Sequence, residues 1–248
     1  MSTYNDEALV AETIESVLQQ THEGFEFIIV NDGSTDGTGE VLESFARRDP
    51  RLRVMHQKNQ GLTRGLIEGC SVAEGDFIAR IDAGDTMMPQ RLSKQRDILS
   101  QHGDVSFVSC WTEFCGPEWE HLYTVKEEGV PEEGRNVLPA EPGSNLVAGP
   151  TSHVSMMFRR QSYERAGGYR WQFYYGQDWD LWYRLAEEGK FAMVPEVLCR
   201  VRVFPDAISA RHSEQQEAIG RYSLAAFWRR RKGQKQDPAL DRARHIRP

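Results

Sequence analysis

The sequence predicts an α/β fold in which a mostly parallel, doubly wound sheet is flanked by helices. Three observations predict it. Through residues 1–101, apolar runs of strand length alternate with stretches whose apolar residues recur at helical spacing, as in strand–helix–strand units. Phe77, Ile78, Ala79 and Ile81 suit a strand covered on both faces, as parallel strands are. Three strand ends carry polar residues, at Asp32, Asn59 and Asp82. Right-handed crossovers bring those ends to one edge of the sheet, and ligands of open α/β sheets bind outside the carboxyl ends of the strands.

Each element follows from local chemistry. Asp6 can cap a helix over residues 7–20, where Val10, Ile14, Val17 and Leu18 form one apolar face. Residues 25–30 read as a strand, and the small and polar residues 31–38 permit a tight turn and cap a helix over residues 39–48. A short strand over residues 51–56 leads, past Asn59 and Gly61, to a helix over residues 62–73. The strand 77–81 stops at Asp82, Gly84 and Asp85, and Pro89 opens a helix over residues 89–101. Carboxylates at such a strand end can hold a cation that holds a phosphate; the alternative is a plain strand-to-helix turn with Asp as its cap.

Residues 105–114 read as a further strand. Residues 116–152 hold five prolines, five glycines and the pairs Glu127-Glu128 and Glu132-Glu133, which reads as a long irregular segment of the kind that covers active sites. A strand over residues 153–159 and a turn at Gly167-Gly168 follow. Leu181, Trp182 and Leu185 make the buried stripe of a helix whose first turn holds Asp178 and Asp180, where the helix dipole favours carboxylates. Residues 191–204 read as two short strands broken at Pro195. From Arg229 the tail is basic and reads as a solvated end, or as a segment drawn to an anionic membrane surface.

Bulk properties narrow the function. With 27% charged and 39% hydrophobic residues, a 248-residue chain buries a sizeable core as one large domain, or one and a half. A net charge of −7 argues against a nucleic acid engaged over the whole surface. No apolar run approaches the ~20 residues of a membrane span, and no signal peptide opens the sequence. Four cysteines are too sparse for a disulfide framework, and Cys110 and Cys115 lack a Cys/His partner pair for zinc, so reduced thiols and a cytoplasmic location are expected.

The ordered motifs Thr3-Tyr4-Asn5, Val30-Asn31-Asp32-Gly33-Ser34-Thr35-Asp36, Asn59-Gln60-Gly61-Leu62, Asp82-Ala83-Gly84-Asp85, Met157-Phe158-Arg159-Arg160, Gly167-Gly168-Tyr169 and Gln177-Asp178-Trp179-Asp180-Leu181-Trp182 resemble those of the family 2 glycosyltransferases. The resemblance spans residues 2–209. It implies the GT-A fold, Rossmann-like with a mixed acceptor-side half, and an inverting transfer of sugar from a UDP- or dTDP-sugar to a hydroxyl in polysaccharide or glycan biosynthesis. The implied organisation is a nucleotide-sugar-binding half at residues 1–115, an acceptor and catalytic-base half at residues 116–209, and a C-terminal helix and basic tail at residues 210–248. Thr3, Tyr4, Asn5, Asp32, Asn59, Arg64 and Asp82 would line the nucleotide-sugar pocket. Asp32 would accept from the base, and Asp178 would be the catalytic base. Mg²⁺ or Mn²⁺, held by Asp82 and by Asp85, would neutralise the leaving diphosphate. The implied partners are the donor and a glycan or lipid-linked acceptor, with peripheral contact at the inner face of the membrane through the basic tail.

Departures from the family pattern bear on this. Gly84 stands where a metal-binding carboxylate is usual, Gln177 replaces a Glu before the catalytic Asp, and Phe204 stands where a His is often found. Only Met1 and Ser2 precede Thr3, where the family carries an apolar first strand, and losing that strand would expose edges on its two neighbours. The expectation is that Met1 is an internal methionine, or else that the sheet is rearranged. A relative that binds a nucleotide-sugar or a partner without turnover is the alternative. A nucleotidyltransferase is a third reading, opposed by Asp178 and the acceptor-side motifs. His153 could touch acceptor or diphosphate, or simply pack at a strand start. Trp171, Phe173, Tyr174 and Tyr175 could stack on an acceptor sugar or pack in the core.

Overall fold

A computed structural model describes residues 1–139, 144–204, 213–234 and 238–246. The predicted boundary at residue 209, and Lys235, Asp237 and Arg247 of the basic tail, lie outside the described residues.

Strand–helix alternation holds through the first half. The elements are β1 (Ser2–Thr3), α1 (Val10–Leu18), β2 (Phe27–Asn31), α2 (Thr38–Ala46), β3 (Leu52–His56), α3 (Leu62–Ser71), β4 (Phe77–Ala79), β5 (Thr86–Met87) and α4 (Arg91–Gln101). They are followed by β6 (Val105–Cys115), β7 (His121–Val125), β8 (Met157–Arg159), α5 (Arg160–Arg165), α6 (Gln177–Glu188) and β9 (Lys190–Arg202). The chain closes with α7 (Ser213–Arg231) and α8 (Pro238–Ala243).

The strands fall into two sheets. β1, β2 and β3 form one in that order, all parallel, and every residue of β2 is buried, as a strand covered on both faces must be. The second runs β4-β8-β6-β9-β5, with β7 hairpinned onto β6. Only its long β6–β9 ladder is parallel; β4, β5, β7 and β8 pair antiparallel. The strand expected over residues 77–81 as a buried parallel strand is instead the half-buried edge strand β4, paired antiparallel with β8, so the mixed sheet begins inside the predicted nucleotide-sugar-binding half rather than at residue 116. One apolar cluster lies where α1, α2 and α4 pack on the sheets, and a second lies between the opposite face, α3 and α6.

The first strand is short. β1 pairs with Val30 and Asn31 only, and a cavity of about 440 Å³ opens between β2 and β4, lined by Met1, Phe27, Leu66, Phe77 and Arg80 among others. The Met1 amino group donates to the Ile28 carbonyl at 2.9 Å, and burial lowers its pKa to about 6.

Four further expectations need correction. Asp6 does not cap α1 with its side chain; its backbone carbonyl accepts from Leu9 and Val10, while its carboxylate accepts from Thr3 Oγ1 at 2.6 Å and Tyr4 N at 3.1 Å. Residues 190–202 form one strand rather than two, because Pro195 and Glu196 loop out as a bulge between Val194 and Val197, where proline needs no ladder partner. The irregular segment contains β7, whose Leu122 and Tyr123 are exposed and carry no buried periodicity to read. The tail from Arg229 is not wholly solvated: Arg230 pairs with Glu187 of α6 at 2.9 Å, and Ala243 of α8 is buried.

Candidate active site

β4 and the turn after it build the floor of the crevice. Side chains alternate across a strand, so Ile78, Arg80 and Asp82 share a face. Ile78 packs into the cluster below α3, while Asp82 emerges at the strand end with its side chain 35% exposed. Arg80, 4% exposed, lies beside it and forms an ion pair with its carboxylate. Gly84 turns the chain at φ +93, a conformation that strains any side chain. Its N–H donates to Thr13 Oγ1 at 2.9 Å, and Thr13 Oγ1 donates to the Asp85 carbonyl at 2.8 Å, tying the turn to α1.

Asp85 points away from this surface. It is 6% exposed and accepts from the Arg202 backbone N–H at 3.0 Å. Burial, then the neighbouring Asp82, push its carboxyl well above the usual range. Arg202 is in turn held by an ion pair with Glu12 and by stacking on Trp119, its guanidinium 4.0 Å from the ring centroid.

From the other half of the chain, α6 brings Asp178. Gly176, at φ +62, starts the helix, and the first turn is pinned by Asp180. That carboxylate is 1% exposed and accepts from Arg170 Nε at 2.9 Å and Arg184 Nη2 at 2.6 Å. Arg184 also donates to the carbonyls of Ala166 and Gly168, which locks α6 to the turn after α5. Asp178 itself is partly buried, and burial raises its carboxyl pKa; Asp82 pushes the same way, while its backbone N–H contacts and Arg80 oppose. A raised carboxyl is a stronger base than a solvated one, as proton abstraction near neutrality requires.

Asp82, Asp178, Arg80 and His153 thus share one neighbourhood. Burial and then Arg80 hold His153 well below the usual imidazole range, and its Nε2 lies 2.8 Å from the Tyr169 hydroxyl. His153 is thus half-buried and hydrogen-bonded to Tyr169.

The remaining residues predicted for the nucleotide side lie in β1, in the loops after β1, β2 and β3, and in α3. Asn5, at φ +56, accepts from Thr35 N at 2.8 Å and donates its own N–H to Ser34 Oγ at 3.0 Å, so residues 3–5 and the loop after β2 are one unit. Thr3 is buried, whereas Tyr4 is 47% exposed. Asp32 is 2% exposed; Oδ1 accepts from Gln57 Nε2 at 2.6 Å and Gln60 N at 2.9 Å, and Oδ2 from Gly61 N at 2.7 Å. Its lone pairs hold the loop that presents Asn59, which is exposed. Arg64 is exposed and stacks over Trp171, 5.0 Å from the ring centroid. The aromatic run divides: Phe173 and Tyr175 are buried against Ile219 and Ala243, while Trp171 stays 37% exposed. Arg80 and the Asp180 network escaped the sequence reading; a lone cation inside an apolar strand was the available sign of the first.

These residues do not fit a resident divalent ion. Asp82 is ion-paired, Asp85 is buried and engaged by Arg202, and Gly84 carries no ligand. Among the described residues no three His, Cys, Asp or Glu side chains group closely enough to hold a metal. The expected pairing of Asp82 with Asp85 is opposed by the burial of Asp85 and its engagement by the Arg202 N–H.

Comparison with known proteins agrees with this architecture. The family model described as Glycosyl transferase family 2 matches residues 1–166. Over 218 residues the chain is 34% identical to the putative glycosyltransferase EpsE of Bacillus subtilis (strain 168), covering 85% of this chain and 74% of that protein. Two solved structures share the fold. One is S. aureus TarS 1-349 in complex with UDP (TM-score 0.68, 14% identity, 98% of this chain and 68% of that one). The other is the mannosyltransferase PcManGT from Pyrobaculum calidifontis in complex with GDP-Man and Mn²⁺ (TM-score 0.66, 19% identity, 99% and 68%). With its GT-A architecture and its match to the family model over residues 1–166, the chain belongs to glycosyl transferase family 2.

Proposed function

We propose that the chain transfers a sugar, with inversion, from a UDP- or dTDP-sugar to a hydroxyl of a glycan or lipid-linked acceptor, in polysaccharide or glycan assembly. One observation carries this: a carboxyl of raised pKa, Asp178, stands at the first turn of α6 within electrostatic reach of Asp82 at the end of β4. The two come from opposite halves of the chain, as a direct displacement needs. Asp178 takes the proton of the acceptor hydroxyl as it attacks the anomeric carbon, and the nucleoside diphosphate leaves on the Asp82 side. Tyr4, Asn59 and Arg64 are exposed to meet the nucleotide, and Asp32 fixes the loop between them. The UDP of the TarS complex supports a uridine donor; the GDP-Man of PcManGT shows that the fold also accepts guanine.

The manganese of that complex supports a divalent ion, and the donor set of this chain opposes one. We derive no step through it. No helix among the described residues is long and apolar enough to cross a membrane. Exposed Arg231 and Lys232 at the end of α7 support peripheral contact with an anionic surface at the inner face of the membrane. Gly84 and the engaged Asp85 favour the second reading, a family member that binds donor without turnover.

Release of nucleoside diphosphate from a panel of UDP-, dTDP- and GDP-sugars separates the two. Turnover lost in Asp178→Asn with nucleotide binding intact supports transfer. Binding with no release under any donor and acceptor supports the second reading.

A further inference from the structure

We infer that Arg80 is the cation of the donor-side subsite, a guanidinium built into the crevice floor that offsets Asp82 and lets a nucleoside diphosphate bind without a divalent ion. The inference rests on the donor site proposed above.

Its first support is an unusual burial. Arg80 is 4% exposed in the interior and ion-paired through Nη1 to Asp82, while Nε and Nη2 have no hydrogen-bond acceptor among the described residues. Buried cations of this kind are costly and are ordinarily satisfied all round, as Arg91 is here by the carbonyls of Arg80 and Met156. The guanidinium meets one partly exposed carboxylate and keeps two nitrogens with donors to spare.

The second support is the charge of the surrounding wall. Asp82 and Asp178 lie within electrostatic reach of Arg80, with Asp6 near Asp82. A diphosphate entering a floor of carboxylates alone would be repelled. Arg80 is ion-paired to Asp82, so that carboxylate does not face an arriving polyanion as an uncompensated charge. The third support is the missing ligand set. Gly84 at φ +93 cannot be exchanged for a carboxylate without strain, and Asp85 already serves Arg202. The charge a metal would supply therefore has a resident substitute on the same strand as Asp82.

The test is calorimetric titration of the full chain with UDP and GDP, and with uridine and guanosine as controls, in EDTA and in Mn²⁺. In EDTA the wild type binds a nucleoside diphosphate. Arg80→Met weakens that affinity tenfold or more while leaving the nucleoside unchanged, Arg80→Lys stays within threefold of wild type, and Mn²⁺ restores Arg80→Met. Diphosphate binding by the wild type that vanishes in EDTA overturns the inference, whatever the variants do, and leaves the proposed donor site standing. Equal losses for diphosphate and nucleoside in Arg80→Met also overturn it, since they mark a structural role. Failure of every nucleotide to bind in Mn²⁺ overturns both this inference and the proposed function.

Discussion

Replacing Asp180 with asparagine removes one charge from the most enclosed ion network of the molecule. The carboxylate is 1% exposed and Arg184 5% exposed, with Arg170 as a second partner. Although burial alone would raise it, Arg184 and Arg170 hold the Asp180 carboxyl below its ordinary value. An amide in its place leaves Arg184 buried and uncompensated and turns an N–H₂ donor toward guanidinium donors. Breaking one side of a buried pair costs about 3–5 kcal/mol. That is a large part of a typical stability of about 5–15 kcal/mol. At about 2–4 °C per kcal/mol for a chain of this size, the melting temperature falls by about 10 °C. Chemical denaturation measures the loss directly, and Glu217→Gln serves as the control. Glu217 and Arg221 are 74% and 66% exposed, and their pair contributes about 0.5 kcal/mol or less. The pH dependence has a fixed sign. A depressed carboxyl contributes stability that is present above the unfolded value of about 3.9 and lost as pH falls through the folded one. The gap between wild type and variant therefore closes in acid. A loss under about 1 kcal/mol at pH 7, or a gap that widens in acid, refutes the assignment of Asp180 as the pin of α6.

Three further outcomes are expected. The acid limb of kcat/KM lies above the ordinary Asp value of about 3.9 because Asp178 is raised, and Asp178→Asn abolishes that limb and lowers kcat about 10²–10⁴-fold; a limb retained in the variant assigns the base elsewhere. Asp85→Asn keeps an acceptor for the Arg202 N–H. A raised carboxyl adds stability below about pH 4 that is lost as pH rises through its folded value. The variant therefore gains on wild type at pH 8 and not at pH 4 by urea denaturation, and a loss at pH 8 contradicts the buried, non-ligating role of Asp85. Gly176→Ala places a Cβ 2.8 Å from Ile219 Cγ2 at φ +62, so thermal melts show a loss of about 1–3 kcal/mol, and an unchanged melt means α7 is not seated on α6 as described.

Much of this molecule is local and could be read along the chain. The alternation of helix and strand through α4 and the placement of Asp178 in a first helical turn follow from patterns within a dozen residues. Where reading failed, the missing information was a partner distant in sequence. Pro195 reads as a break, yet β6 runs past it on one side and tolerates a bulge. Asp85 reads as a ligand beside Asp82, yet Arg202, from the far end of β9, takes its carboxylate. Asp6 reads as a cap, yet Thr3 and Tyr4 claim its side chain.

Residue order alone determined the fold class, the family and the acidic character of the crevice, because each depends on spacing and residue type. Tertiary structure alone decided which carboxylates face the crevice, which are consumed in holding it together, and that a guanidinium lies beneath them. Burial and the pairing of charges are properties of the packed interior, and the chain acquires them only when its two halves meet.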